Sequence, residues 1–140
     1  MNCGNKPMDS FRRTITSSGA PQAVGPYSHA VVAGGLLFCS GQLPVRPHVS
    51  DSFSDDIAAQ TQQCLENLQA VCEEAGTSLS QATRLTIYTT DLDSFSEINQ
   101  AYAEYFSHAP PARAAVGVAA LPLGASVEID AIVAAPVSAD

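Results

Sequence analysis

Tryptophan is absent and cations are scarce: six Lys and Arg stand against fourteen Asp and Glu in 140 residues, a formal net charge of -8. Nucleic acid and anionic membranes are polyanions, so a chain of this sign is repelled by both. No apolar run reaches the roughly 20 residues of a membrane-crossing helix, and the N-terminal segment lacks the apolar core of a signal peptide. The expected location is the cytoplasm. The four cysteines include no C-x-x-C pair, which disfavours zinc and dithiol chemistry. Cys64 and Cys72 lie too far apart along a helical pattern to bridge one another. Cys39 falls in a strand pattern and Cys3 in a loose terminus, so three of the four read as small core hydrophobes. His29, His48 and His108 are scattered over a strand and two loops, and no metal site is expected from them.

What is present suffices for one ordinary domain, since 46% of the residues are hydrophobic. Residues 1–12 carry no periodicity and read as a flexible N-terminal arm; residues 13–137 read as the single domain. Arg12 to Thr16 suits a short edge strand, and two apolar runs around Gly34-Gly35 suit a hairpin. Pro44 to Ser54 reads as a surface loop, with Ser54 or Asp55 available to cap the next helix. That helix carries Ile57, Cys64, Leu65, Leu68, Val71, Cys72 and Ala75 as one stripe and stops at Gly76. Leu85, Ile87 and Thr89 alternate with Arg84, Thr86 and Tyr88, as in a strand. A second helix opens on Ser94-x-x-Glu97, a capping-box pattern, buries Phe95, Ile98, Tyr102, Tyr105 and Phe106, and ends at Pro110-Pro111.

Strand, hairpin, helix, strand, helix, hairpin predicts an α+β fold: a six-stranded, mostly antiparallel sheet with two helices packed on one face. Val116, Val118, Val127, Ile129 and Ile132 place apolar side chains on both sides of the last two strands. A sheet face left uncovered should associate with copies of itself, so an oligomer is expected.

The last two strands, Ala114 to Ala119 and Ser126 to Ala134, read as a pair joined by a tight turn at Pro122 and Gly124. One cation, Arg113, stands where the first begins, and two carboxylates, Glu128 and Asp130, interrupt the second. Buried charges must be paired or hydrogen-bonded. On these residues alone, the reading to prefer is an Arg113 exposed at a strand end and a solvent-facing Glu128.

Pro110-Pro111-Ala112-Arg113, Leu121-Pro122-x-Gly124 and Val127-Glu128-Ile129-Asp130-Ala131-Ile132 resemble the C-terminal signature of the reactive intermediate (imine/enamine) deaminase family, the RidA/YjgF-type proteins. Gly25-Pro26-Tyr27-Ser28-His29-Ala30-Val31 and Ser40-Gly41-Gln42-Leu43-Pro44 resemble its two N-terminal motifs, in the right order. The resemblance spans about residues 14 to 135. It implies a chorismate-mutase-like fold assembled as a homotrimer, with ligand clefts between neighbouring subunits. It also implies hydrolytic deamination of small enamine or imine acids of the 2-aminoacrylate/2-iminopropanoate type to a 2-keto acid and ammonia.

The chemistry is economical. A carboxylate-bearing imine needs an Arg fork for its carboxylate and a carboxylate base to aim water at the C=N carbon. That carbon is already electrophilic, so no cofactor or metal is called for. By the family pattern Arg113 matches the carboxylate-binding arginine and Glu128 the residue positioning water. Tyr27 matches a pocket-lining tyrosine, Asn99 a polar residue reaching the cleft from the second helix, and Ser40-Gly41 a strand end whose backbone contacts ligand. Without the resemblance, Tyr27 serves equally as a loop staple, whereas Ser40 reads as a strand end and Asn99 as a solvated helix position. Ala115 occupies a substrate-contacting position where archetypal members often carry Cys, leaving only backbone groups there. The loop from Val45 to Ser52 lacks the Gly-containing acidic turn of relatives. Alternatives are a non-catalytic ligand-binding regulatory trimer, a pathway-specific deaminase of the aminomuconate type and last, given the charge, an endoribonuclease.

Overall fold

A computed structural model of the chain describes residues 11–49 and 52–137. Six strands form one sheet: β1 (Arg13–Ile15), β2 (Ala30–Ala33), β3 (Leu36–Gln42), β4 (Ala82–Thr89), β5 (Ala112–Gly117) and β6 (Val127–Ala134). Two helices, α1 (Ile57–Glu74) and α2 (Phe95–Tyr105), cross between them. The strand order is β1-β2-β3-β6-β4-β5, antiparallel throughout except for the parallel pair β4–β5. The α+β architecture expected from the sequence is therefore the observed one. Residues 1–10 of the expected arm, with Cys3, lie outside the described residues, as do Ser50 and Asp51 of the loop after β3. Among the described residues no helix is long and apolar enough to cross a membrane.

Local chemistry accounts for the element ends. Gly34 and Gly35 take φ of 60° and 78°, as a two-residue hairpin turn that follows the strand twist requires. Asp56, rather than Ser54 or Asp55, caps α1, its carboxylate accepting from the Ala59 N–H at 3.0 Å. At the other end Gly76 sits at φ 82°, and the N–H groups of Gly76 and Thr77 return to the carbonyls of Glu73 and Cys72. The capping box expected at Ser94 does not form. Its hydroxyl donates to Asp91 Oδ2 at 2.6 Å, because a 3₁₀ turn over Leu92–Ser94 precedes α2 and draws the side chain backward. The helix also stops at Tyr105, ahead of the two prolines.

The core lies between the helices and one sheet face. Leu37, Leu85, Ile87, Val127, Ile129 and Val133 from the strands meet Leu65, Leu68, Val71 and Ile98 from the helices, all fully buried. Each such side chain contributes about 1.5–3 kcal/mol of burial. Cys39, Cys64 and Cys72 are buried free thiols in this layer, as expected. The opposite face has no helix over it and carries Phe38, Ile132 and Val116 together with Tyr88, Glu128 and Asp130.

The expected hairpin of the last two strands is not there. Crossover through α2 sets β5 parallel to β4 at the sheet edge, while β6 enters between β3 and β4. The connecting residues 118–126 pass around the end of β4, tied by Val118 N–H to Thr89 O and Thr90 N–H to Ser126 O. Too long a segment for a tight turn, it separates Arg113 from Glu128 by a whole strand.

Candidate functional site

Alternation in β3 breaks where the site begins. Cys39 faces Ala131 and Gln42 faces Ile129, so β3 carries one more residue than β6 between these pairs. This bulge turns both Ser40 and Gly41 away from the core and returns Gln42 to it, where it is buried. Ser40 is held twice, its N–H donating to His29 O at 2.9 Å and its hydroxyl to Ser28 O at 2.7 Å. Glu128, on β6, lies against the bulge. A Cβ added at Gly41 would stand 2.7 Å from Glu128 Oε2 and 3.1 Å from its Cδ, so only glycine lets the carboxylate rest there. Tyr27, half-exposed, completes this wall of an open cleft of about 1460 Å³ that also takes in Arg46 and Leu123.

Buried polar side chains fix the rim of that cleft. The Ser17 N–H donates to His29 Nδ1 at 3.0 Å, which leaves Nε2 to donate to Pro21 O at 2.8 Å and defines the tautomer. Asn67 on α1 donates to both Leu43 O and Val45 O at 3.0 Å, and Gln60 Oε1 accepts from the Ser126 N–H at 2.9 Å. Within the cleft, burial pushes the Glu128 carboxyl above its ordinary 4.5, and the neighbouring Asp130 charge adds to the rise. Asp130 accepts from the Tyr88 hydroxyl at 3.0 Å. Burial, then that hydrogen bond, raises the phenol above its usual 10. Glu128 is thus a carboxylate with enhanced affinity for a proton in a walled, partly dry setting.

Arg113 belongs to the other side of the sheet. It pairs in register with Leu85, whose side chain is in the core, whereas Glu128 pairs with Tyr88 on the uncovered face. The two side chains therefore point to opposite faces, on strands separated by β4. Arg113 is exposed, yet held: Nη1 donates to Asn99 Oδ1 at 2.8 Å, and Cζ lies 5.2 Å from the Phe95 ring centroid and 4.8 Å from that of Tyr102. Ala115, two residues on and paired with Ile87, occupies the same face and is exposed.

Of the residues singled out from sequence, the fold brings Tyr27, Ser40, Gly41 and Glu128 to one cleft. It brings Arg113, Asn99 and Ala115 to one edge, and it does not join the two groups within a chain. Sequence reading took Phe95 and Tyr102 for core only and missed their contact with the guanidinium. The signal was there in the spacing of Phe95, Asn99 and Tyr102, positions i, i+4 and i+7 of one helix face. It also left out Asp130 as the neighbour whose charge adds to the rise at Glu128. Among the described residues no cluster of His, Cys, Asp and Glu is arranged to hold a metal ion.

Comparison with known proteins agrees with the motifs. The family model described as Endoribonuclease L-PSP matches residues 17–135. The RutC family protein y4sK of Sinorhizobium fredii is 49% identical over 119 residues, covering 85% of this chain and 94% of the relative. A human protein named 2-iminobutanoate/2-iminopropanoate deaminase is 36% identical over 122 residues, covering 87% and 89%. Among solved structures, E. coli TdcF with bound serine superposes with a TM-score of 0.84 at 35% identity, covering 89% of this chain and 99% of that one. With most of its length matched by the family model and by relatives at this identity, the chain belongs to the Endoribonuclease L-PSP family, that of the reactive intermediate (RidA/YjgF-type) deaminases.

Proposed function

We propose that the protein hydrolyses small 2-imino acids, and their enamine tautomers of the 2-aminoacrylate type, to the 2-keto acid and ammonia. The arrangement that carries this reading is a pair of complementary half-sites, a presented guanidinium and a proton-affine carboxylate, on opposite faces of one sheet. A single copy cannot close them on one substrate. A homotrimer in which the uncovered sheet face meets its neighbours would bring Arg113 of one copy toward Glu128 of the next, and the exposed Phe38 and Val116 on that face support such burial.

In this site Arg113 takes the substrate carboxylate in a bidentate fork, and Ser40 and Gly41 of the neighbour bound the imine end. Glu128 accepts a proton from water as its oxygen attacks the C=N carbon and passes it to nitrogen; it then takes the carbinolamine's hydroxyl proton and delivers that to nitrogen as well, so that the C–N bond breaks, ammonia leaves and the 2-keto acid remains. A carboxyl whose proton affinity exceeds that of a free Glu is better matched to both transfers near neutral pH. The name of the human relative and the amino acid bound to TdcF support a small carboxylate-bearing substrate. Against the family description, a net charge of -8 opposes RNA as substrate.

The test couples the protein to an enzyme that releases 2-aminoacrylate and follows loss of the imine. Arg113→Ala should lower kcat/KM by at least ~30-fold, about 2 kcal/mol of transition-state stabilisation, since the anion loses its charge-assisted clamp. An unimpaired variant, or RNA cleavage by a preparation silent toward imines, would overturn the proposal.

A further inference from the structure

The guanidinium of Arg113 is the one functional group of the site that stands exposed at a sheet edge, where a long side chain ordinarily samples many rotamers. A carboxylate clamp that must first be frozen loses affinity to the entropy of freezing. Yet this side chain is cornered from three directions, and all three contacts come from one helix face. Phe95 lies half-buried in the first turn of α2, Asn99 one turn later and Tyr102 a turn beyond that. Their side chains meet the guanidinium at 5.2 Å (ring centroid), 2.8 Å (Oδ1) and 4.8 Å (ring centroid) respectively.

We propose that Phe95, Asn99 and Tyr102 form a prebuilt cradle that aims Arg113, making the two rings positioning residues for carboxylate recognition and Asn99 the group that selects which edge of the fork faces the ligand. Asn99 occupies one of the five guanidinium N–H groups, which leaves Nη2 and Nε to bind two carboxylate oxygens side by side. The rings hold the plane by the attraction of a cation to their π faces, and do so without competing for any N–H.

Tyr102 meets the guanidinium with the face of its ring. Its hydroxyl is the one buried side-chain polar atom among the described residues that has no hydrogen-bond partner. The ring is meanwhile fixed from behind by Phe106, 4.7 Å away centroid to centroid. What the position needs is a flat, immobile face.

This inference rests on the reading of Arg113 as the carboxylate clamp, and the experiment separates the two. Four proteins are compared, wild type, Phe95→Leu, Tyr102→Phe and Tyr102→Leu, by steady-state turnover of 2-iminobutanoate, by titration with sodium 2-oxobutanoate, and by the NMR shifts of the Arg113 side-chain protons without ligand. Phe95→Leu should raise both KM and the 2-oxobutanoate Kd about 3- to 10-fold with kcat nearly unchanged, and should move the Arg113 resonances downfield as ring shielding is lost. Tyr102→Phe, which keeps the ring, should retain most of the 2-oxobutanoate affinity and of the ring-shielded Arg113 shifts that Tyr102→Leu loses. Tyr102→Leu should behave as Phe95→Leu does; should it fail to fold, the Phe95→Leu and Tyr102→Phe pair still decides the matter. Unchanged KM and Kd in Phe95→Leu, or a Tyr102→Phe protein that binds 2-oxobutanoate as weakly as Phe95→Leu, would overturn the cradle. Were wild type to bind 2-oxobutanoate with the shielded Arg113 signature yet turn over no imine, the deaminase reading would fall while the cradle stood.

Discussion

Arg113 hangs from the edge strand β5 in the open, braced by two rings and an amide, whereas Glu128 hangs from the interior strand β6, half-buried against the Cα of a glycine. The cation needs no help to stay charged, so the fold spends its structure there on direction. The carboxylate would be unremarkable in water, so the fold spends its structure there on withdrawing it from solvent, which raises its proton affinity. One half-site is tuned in orientation and the other in chemistry, and the sheet between them keeps each from neutralising the other within a chain.

The widest break in that contrast comes from removing the proposed base. Glu128→Gln should lower kcat by about 10²–10⁴-fold while KM changes little, because the amide neither accepts the water proton nor disturbs the clamp. Arg113→Ala should act mainly through KM and kcat/KM. Mixing the two inactive proteins after joint unfolding and refolding then tests where the halves meet. If sites form between copies, random assortment restores both native residues at about a quarter of them, and a corresponding fraction of activity returns. Mixed oligomers with no recovered activity would place both residues in one chain's site, contrary to the opposed faces seen here.

A smaller effect should follow from the glycine under the carboxylate. Gly41→Ala puts a methyl 2.7 Å from Glu128 Oε2, which cannot persist. The obstructing atom ends a side chain that can rotate, so the fold should hardly notice and Tm should stay near wild type. Catalysis should notice, since displacing a base by ~1 Å costs up to about 10²-fold. A drop in Tm with kcat intact would mean that Gly41 serves the backbone rather than the base.

Sequence alone made the scaffold legible because local rules and the helix-facing burial agree. Leu85, Ile87 and Thr89 alternate inward as expected, Gly34-Gly35 turns the hairpin, and the α1 stripe from Cys64 to Cys72 is buried. The candidate site's residues were picked out by their motifs, but their geometry was not legible. Whether residues 113 and 128 share a sheet face depends on the parity of two registers, Arg113 with Leu85 and Glu128 with Tyr88, across a strand distant in sequence. The expected final hairpin failed for the same reason: nothing local in residues 112–134 says that β6 will insert beside β4. Bulging at Ser40-Gly41 is a case between. A Ser-Gly inside an apolar strand warns of irregularity, but only the pairing of Cys39 with Ala131 and Gln42 with Ile129 shows where the extra residue goes.

The subtlest consequence of the contrast is in stability rather than rate. Burial raises the Glu128 carboxyl above 4.5 in the folded chain. A group raised on folding contributes stability that is fully present below its unfolded value and is lost as pH climbs through the folded one. Wild type should therefore lose stability from about pH 4.5 upward on account of this residue, and Glu128→Gln should be spared that part of the loss. The difference in Tm between variant and wild type should be near zero at pH 4 and should favour the variant at pH 7. In the proposed trimer the neighbour's Arg113 faces the same cleft and offsets part of the penalty, so in an Arg113→Ala background the pH-dependent gain from Glu128→Gln should be larger. Equal gains in both backgrounds would mean that the two charges never sense one another, and the shared cleft would be lost with them.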